Sequence, residues 1–388
     1  MDYEKYVSTK VKQVEFSTIR HFFNLVYQMP DAISLCIGEP DFSTPLHIRE
    51  SAKVALDSYN LGYTPNPGLP ELRKAISEYL EVRFGLKYRP DTEIIVTIGA
   101  SEAIDIALRT IINPGDEVLI PVPSFIAYKP CTQLAEGVPV FVPTYFEDEF
   151  KLKKDVLEKY ITKNTKALIL PYPNNPTGAV LTKKDLEEIA EVVEKYDLLV
   201  ISDEVYAELT YEQDHIPFAA IMGMRERTIT INGFSKSFSM TGWRLGFIAA
   251  PGGLAREILK VHQYSVTCAS TISQFAGIEA LKHGKKDVEE MRGEYDRRRK
   301  FLFNSLINLG FDCIEPKGAF YIFPSIKKFG ISDTEFAERL LKEEKLAVVP
   351  GSAFGDGGEG FIRIAYSTSM ENLKEAVIRI EKFINGLK

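Results

Sequence analysis

The chain has little cysteine and no long apolar run. Its four cysteines in 388 residues, Cys36, Cys131, Cys268 and Cys313, are too dispersed for a metal knuckle, and a chain with this much apolar core has no need of disulfides. They read as reduced, mostly buried thiols. No window approaches the roughly 18 consecutive apolar residues of a membrane span, and the opening Met1-Asp2-Tyr3-Glu4-Lys5 lacks the basic-then-apolar order of a signal peptide. Both absences point to the cytoplasm and away from a membrane. A basic run is also missing: 47 basic against 54 acidic side chains give a net charge of −7, without the electrostatic footprint of a nucleic-acid binder. Neither a repeat period nor a low-complexity linker divides the sequence. What is there is an apolar content of 45%, which excludes disorder and collagen, and a length that suits one large α/β domain plus a smaller one. The default partner is a small molecule.

Short β-rich runs at 94–98, 118–122, 138–142, 167–170, 198–201, 228–231 and 245–249 are apolar on both faces. They are expected to be central strands covered on either side. Helical segments lie between several of them. One spans 183–196, where Leu186, Ile189, Ala190 and Val193 fall at helical spacing behind a capping box of Thr182 and Asp185. Alternation of strand and helix predicts a mostly parallel seven-stranded sheet. After about residue 285 the pattern changes to a long charged helix at 287–309, a hairpin-like stretch at 318–323 and a last helix at 372–387. The expected division is a large domain at 46–285 and a smaller α+β domain formed by 1–45 and 286–388.

Ligands of open parallel sheets gather at the carboxyl ends of the strands, so the residues just beyond each run carry the functional signal. Gly99-Ala100-Ser101-Glu102 opens a helix with exposed backbone N–H groups that suit a phosphate; a tight turn with a capping Ser explains it as well. The rigid loop Pro171-Tyr172-Pro173-Asn174-Asn175-Pro176-Thr177-Gly178 could hold an amide in place or simply connect. Asp203, at an apolar strand end, needs a cationic partner unless it caps a helix. Lys236, in the apolar, Gly/Ser-rich stretch 232–246, would carry a lowered pKa and act as a nucleophilic amine, the alternative being a side chain that snorkels to the surface. Arg244 supplies a planar fork for phosphate. An amine, a carboxylate, an amide and a phosphate cradle together match pyridoxal 5′-phosphate, which needs a lysine, a carboxylate beside its ring nitrogen and anchors for its phosphate.

The segments Ser235-Lys236 with Met240-Thr241-Gly242-Trp243-Arg244, Asn174-Asn175-Pro176-Thr177-Gly178 and Asp203-Glu204-Val205-Tyr206 resemble the class I aminotransferases of fold type I, over essentially the whole chain. The resemblance implies that Lys236 is the Schiff-base lysine and later proton carrier, and that Asp203 partners the pyridine nitrogen. Asn175 and Tyr206 would bond the cofactor's 3′-oxygen, while Ser235, Arg244 and the backbone of Ala100 and Ser101 would hold its phosphate. Phe125 matches the aromatic that stacks on the ring. Tyr63, in Gly62-Tyr63-Thr64-Pro65-Asn66-Pro67-Gly68, resembles the tyrosine that reaches the neighbouring subunit's phosphate, which implies a homodimer with shared active sites. Arg363 resembles the arginine that grips the substrate α-carboxylate, and Gly38 a residue whose backbone lines the substrate pocket.

The chain departs from the family pattern at three places. Gly233 stands where several relatives have a phosphate-binding Ser, Phe125 replaces a Trp, and the turn Ser101-Glu102 lacks the Lys of some aspartate-specific members. Segments 260–270 and 318–325 look like the bacterial PatA-type branch, whose members act on N-acetyl-L,L-diaminopimelate, aspartate or aromatic amino acids. The expected activity is ping-pong transfer of an amino group from an L-amino acid to a 2-oxo acid, with 2-oxoglutarate the expected acceptor and no metal. A β-lyase or synthase of the same fold is the alternative. A cofactor-binding regulator is a third reading, but the stretch before the first motif offers no room for a DNA-binding module.

Overall fold

The computed structural model describes residues 1–16, 29, 31–58 and 60–387. Seven strands form the principal sheet: β2 (Ile94–Thr97), β3 (Glu117–Val122), β4 (Val138–Pro143), β5 (Thr165–Leu170), β6 (Leu199–Asp203), β7 (Thr228–Gly233) and β8 (Gly246–Ala249). Their order is β2-β8-β7-β6-β5-β3-β4, and only β8 runs antiparallel to its neighbours. All seven runs expected from the sequence are strands of this sheet. Every residue of β2, β7 and β8 is buried, as strands apolar on both faces must be. Two of the runs are not central as expected: 94–98 and 138–142 form the two edges of the sheet, β2 and β4. β2 is buried all the same, whereas β4 leaves Val138 exposed, and its prolines Pro139 and Pro143 are tolerated there because an edge leaves some N–H positions without ladder partners. The capping box opening the helix Lys183–Lys195 is present, with Asp185 N donating to Thr182 Oγ1 at 3.2 Å and Thr182 N donating to Asp185 Oδ2 at 2.9 Å. Leu186, Ile189, Ala190 and Val193 face the core.

Two small sheets accompany the large one. β1 (Ile33–Ser34) pairs in parallel with β10 (Leu346–Ala347), and β9 (Tyr321–Ile322), β12 (Ile362–Ala365) and β11 (Val349–Pro350) form an antiparallel trio with β12 central. The 318–323 stretch is therefore not a hairpin. Tyr321 pairs with Ala365 and Ile322 with Ile364, a long-range match that no adjacent turn could announce. The long helix is Lys285–Asn308 and the last Met370–Gly386. Leu35 shares a core with Tyr295, Phe320, Tyr321, Ile364 and Phe383, so early and late parts of the chain pack together. All four cysteines are free; Cys36 is fully buried and the other three only partly. Among the described residues no helix is long and apolar enough to cross a membrane, and no cluster of potential ligands could hold a metal.

Candidate active site

The carboxyl ends of β5, β6 and β7 open on a cavity of about 750 Å³ that every site residue named from the sequence lines, except Tyr63. Tyr63 stands clear of it, 89% exposed. β7 runs into a single helical turn, Phe234–Ser237, which projects Lys236 into the cavity. Its Nζ donates to Gly38 O at 2.6 Å. Burial, helped by the guanidinium groups of Arg363 and Arg244, pushes the amine down to about 8 against the opposing pull of Glu39 and Asp203.

Asp203 ends β6. Burial pushes its carboxyl up to about 6, and the bonds it accepts from Tyr128 Oη at 2.8 Å and Val205 N at 3.3 Å hold it from rising further. It therefore stays mostly ionised at neutral pH and is set to receive a cation. Phe125 lies at the cavity edge with its ring 5.6 Å from that of Tyr128, edge to face. In the loop after β5 the two asparagines divide the work. Asn174 Oδ1 accepts from Thr177 N and Oγ1 at 3.1 and 2.9 Å and braces the turn, which leaves the Asn175 amide facing the cavity.

Ala100 and Ser101 begin the helix Ala100–Ile111 behind Gly99, whose φ is +92°. Close approach explains a second glycine here: a Cβ on Gly246 would lie 2.8 Å from Gly99 C, so strand β8 can touch this turn only without a side chain. Arg244, itself at φ +49°, donates from Nη1 to Thr241 O at 3.0 Å, and its Nη2 would lie 2.9 Å from a Cβ on Gly99. Ser235, Arg244 and the first helical N–H groups thus border one side of the cavity.

The opposite side comes from distant segments. Arg363 on β12 is buried, donates from Nη1 to Asn175 Oδ1 at 3.0 Å and from Nη2 to Cys36 O, and has rings of Tyr321 and Phe354 beneath it at 4.6 and 4.9 Å. These bonds go to an amide and a carbonyl, and Nε has no partner. A buried guanidinium with free bonding capacity is set to receive an anion. Tyr206 Oη lies 2.7 Å from Tyr321 Oη, and a Cβ on Gly38 would meet that same Tyr321 oxygen at 2.5 Å. Thr241 Oγ1 donates to Glu39 Oε2 at 2.9 Å, fastening the Gly38-Glu39 segment across the cavity.

Three contributors escaped the sequence reading of individual residues. Tyr128 stands three residues beyond Phe125, at the start of the helix Tyr128–Leu134, and Tyr321 inside the 318–325 segment; neither side chain announces its bond. Glu39 adjoins Gly38, and its effect on Lys236 arises only through the fold.

A family model, "Aminotransferase class I and II", matches residues 30–380. The aspartate aminotransferase of Pyrococcus abyssi is 51% identical over 385 residues, covering 98% of this chain and 99% of its own. A Bacillus subtilis protein named "Probable N-acetyl-LL-diaminopimelate aminotransferase" is 46% identical, covering 98% and 96%. The crystal structure of the aromatic aminotransferase from Pyrococcus horikoshii superimposes with a TM-score of 0.90 at 52% identity, over 95% of this chain and 99% of that one. With the fold, the cavity and these relatives in agreement, the chain belongs to the class I and II aminotransferases, fold type I enzymes that transfer amino groups and whose family depends on pyridoxal 5′-phosphate.

Proposed function

We propose that the chain acts as a homodimer that moves the amino group of an L-amino acid to a 2-oxo acid, 2-oxoglutarate being the expected acceptor, by a ping-pong mechanism centred on Lys236. The donor is sought among aspartate, aromatic amino acids and N-acetyl-L,L-diaminopimelate. The observation that carries the reading is Lys236 Nζ, bonded to Gly38 O inside a cavity that also holds Asp203 and Arg363. The residues present fit pyridoxal 5′-phosphate: a helix N-terminus narrowed by Gly246, an arginine beside it, a buried carboxylate for a cationic ring nitrogen, and a guanidinium with an orphaned Nε for a carboxylate. In the proposed assembly the partner subunit's Tyr63 reaches the phosphate; the 89% exposure of Tyr63 in the single chain supports this. The proposed large domain is 46–285 and the small one 1–45 with 286–388. Among the described residues the β1–β10 pairing and the core shared by Leu35 and Phe320 support the small domain, while the Lys10–Glu136 ion pair fastens its first residues to the large one.

The cofactor supplies an electron-poor ring that takes up the charge left when the substrate Cα loses its proton. Lys236 acts as nucleophile and as proton carrier at Cα. An amine at about 8 is free base in about a quarter of molecules at pH 7.5, against about one in a thousand for an ordinary lysine. Asp203, ionised and steadied by Tyr128, keeps the ring nitrogen protonated; Asn175 and Tyr206 orient the 3′-oxygen, and Phe125 flanks the ring. Ala100, Ser101, Ser235 and Arg244 hold the phosphate. Arg363 binds the α-carboxylate, with the Gly38 backbone closing the pocket over it.

Replacing Lys236 by Ala tests the reading directly. Turnover should fall by at least about a thousandfold, and the visible absorption band of the holoenzyme should disappear. Ordinary activity in that variant would overturn the assignment, as would release of ammonia or thiol in place of amino transfer to 2-oxoglutarate by the wild type.

A further inference from the structure

Behind the turn that opens the helix Ala100–Ile111 lies a buried acid and base that the proposed reaction does not use. Glu102 Oε2 accepts from Ile98 N at 2.7 Å, and its other oxygen lies 2.7 Å from His262 Nδ1. The side chains are 6% and 0% exposed. His262 Nε2 lies 2.9 Å from Asn66 O. A carbonyl oxygen can only accept, so Nε2 carries a hydrogen; the short contact at Nδ1 then holds a second, on nitrogen or on the carboxyl. Wherever that second proton resides, the pair is neutral as a whole. His262 occupies the last turn of the helix Gly252–Ser265.

The position gives this neutrality a purpose. Ala100 and Ser101, immediately before Glu102, line the cavity where Arg244 also lies. An anionic Glu102 in the first helical turn would stabilise the isolated helix but repel a phosphate held at the same N-terminus. We propose that His262 is a positioning residue for the cofactor phosphate: by sharing a proton with Glu102 it removes a negative charge from beneath the phosphate cup, so that the helix N-terminus and Arg244 act on the phosphate unopposed. This rests on the proposed function, which places the phosphate at Ala100 and Ser101.

Titration of cofactor-free, full-length protein with pyridoxal 5′-phosphate and with pyridoxal, which lacks the phosphate, separates the two ideas. Wild-type protein that binds neither ligand would overturn the proposed function itself. Given binding, His262→Gln leaves Glu102 charged and should weaken pyridoxal 5′-phosphate about tenfold while leaving pyridoxal within about twofold. Glu102→Gln keeps the pair neutral and should preserve the wild-type preference between the ligands, and the double variant should regain what His262→Gln loses. Equal weakening of both ligands by His262→Gln, or none, overturns the proposal. So does a changed preference in Glu102→Gln, tighter phosphate binding in particular, since that would mean the wild-type pair is anionic; this arm holds even where His262→Gln fails to fold.

Discussion

The two walls of the cavity are built in different ways. On the sheet side, Asp203 and Lys236 leave the ends of adjacent parallel strands, and Ala100 and Arg244 flank the β2–β8 pair, so each group is delivered by its own backbone. The other wall joins Gly38, Tyr321 and Arg363, and its bonds span the chain: Arg363 reaches the carbonyl of Cys36, 327 residues away. Side-chain contacts hold that wall to the first. Lys236 bonds Gly38 O, Thr241 bonds Glu39, and Thr44 Oγ1 both donates to Ser239 O at 2.6 Å and accepts from Trp243 Nε1 at 3.0 Å. A wall that belongs to the large sheet suits a resident cofactor, whereas one carried by a separate small sheet and joined to the first through side chains suits a substrate that comes and goes. The difference predicts separable effects of substitution: on cofactor retention for one wall, on substrate KM for the other.

The strongest way to break that separation is Arg363→Lys, which keeps a charge but loses the fork. KM for the amino donor should rise about a hundredfold with the cofactor absorbance unchanged; loss of cofactor in parallel would erase the distinction. Gly38→Ala is next. Its Cβ must displace the Tyr321 hydroxyl, and kcat/KM should fall about tenfold or more. Adding Tyr321→Phe removes the obstructing oxygen, so partial recovery in the double variant sharpens the assignment and a further loss contradicts it.

On the strand-built wall the expected effect is smaller and falls on the cofactor. Tyr128→Phe deletes a donor that holds the Asp203 carboxyl down, so Asp203 must rise above about 6. A carboxyl with a raised pKa is protonated at higher pH, and only its ionised form favours a cationic ring nitrogen. Affinity for pyridoxal 5′-phosphate at pH 7 should drop by about tenfold, and the pH below which binding weakens should move upward from near 6. Titration of cofactor-free protein across pH 5 to 8 checks both; a shift to lower pH would contradict the hydrogen bond's role.

The sequence by itself determined the seven strands, the capped helix after Thr182 and the identity of the strand-end groups, because both apolar periodicity and strand-end placement are local properties of the chain. It also gave Arg363 and Gly38 through resemblance, without geometry. Only the tertiary structure decided that Asn174 braces the loop from which Asn175 faces the cavity, that Tyr128 holds Asp203, that Tyr321 fills the space beside Gly38, and that Tyr321 and Ile322 pair with β12 and belong to no hairpin. Each of these depends on a contact between residues whose own neighbours in sequence say nothing of it. Hydrogen bonding and desolvation act through space, and this cysteine-poor chain of modest net charge gains a buried low-pKa amine and a buried unpaired guanidinium nitrogen only once its ends fold onto its middle.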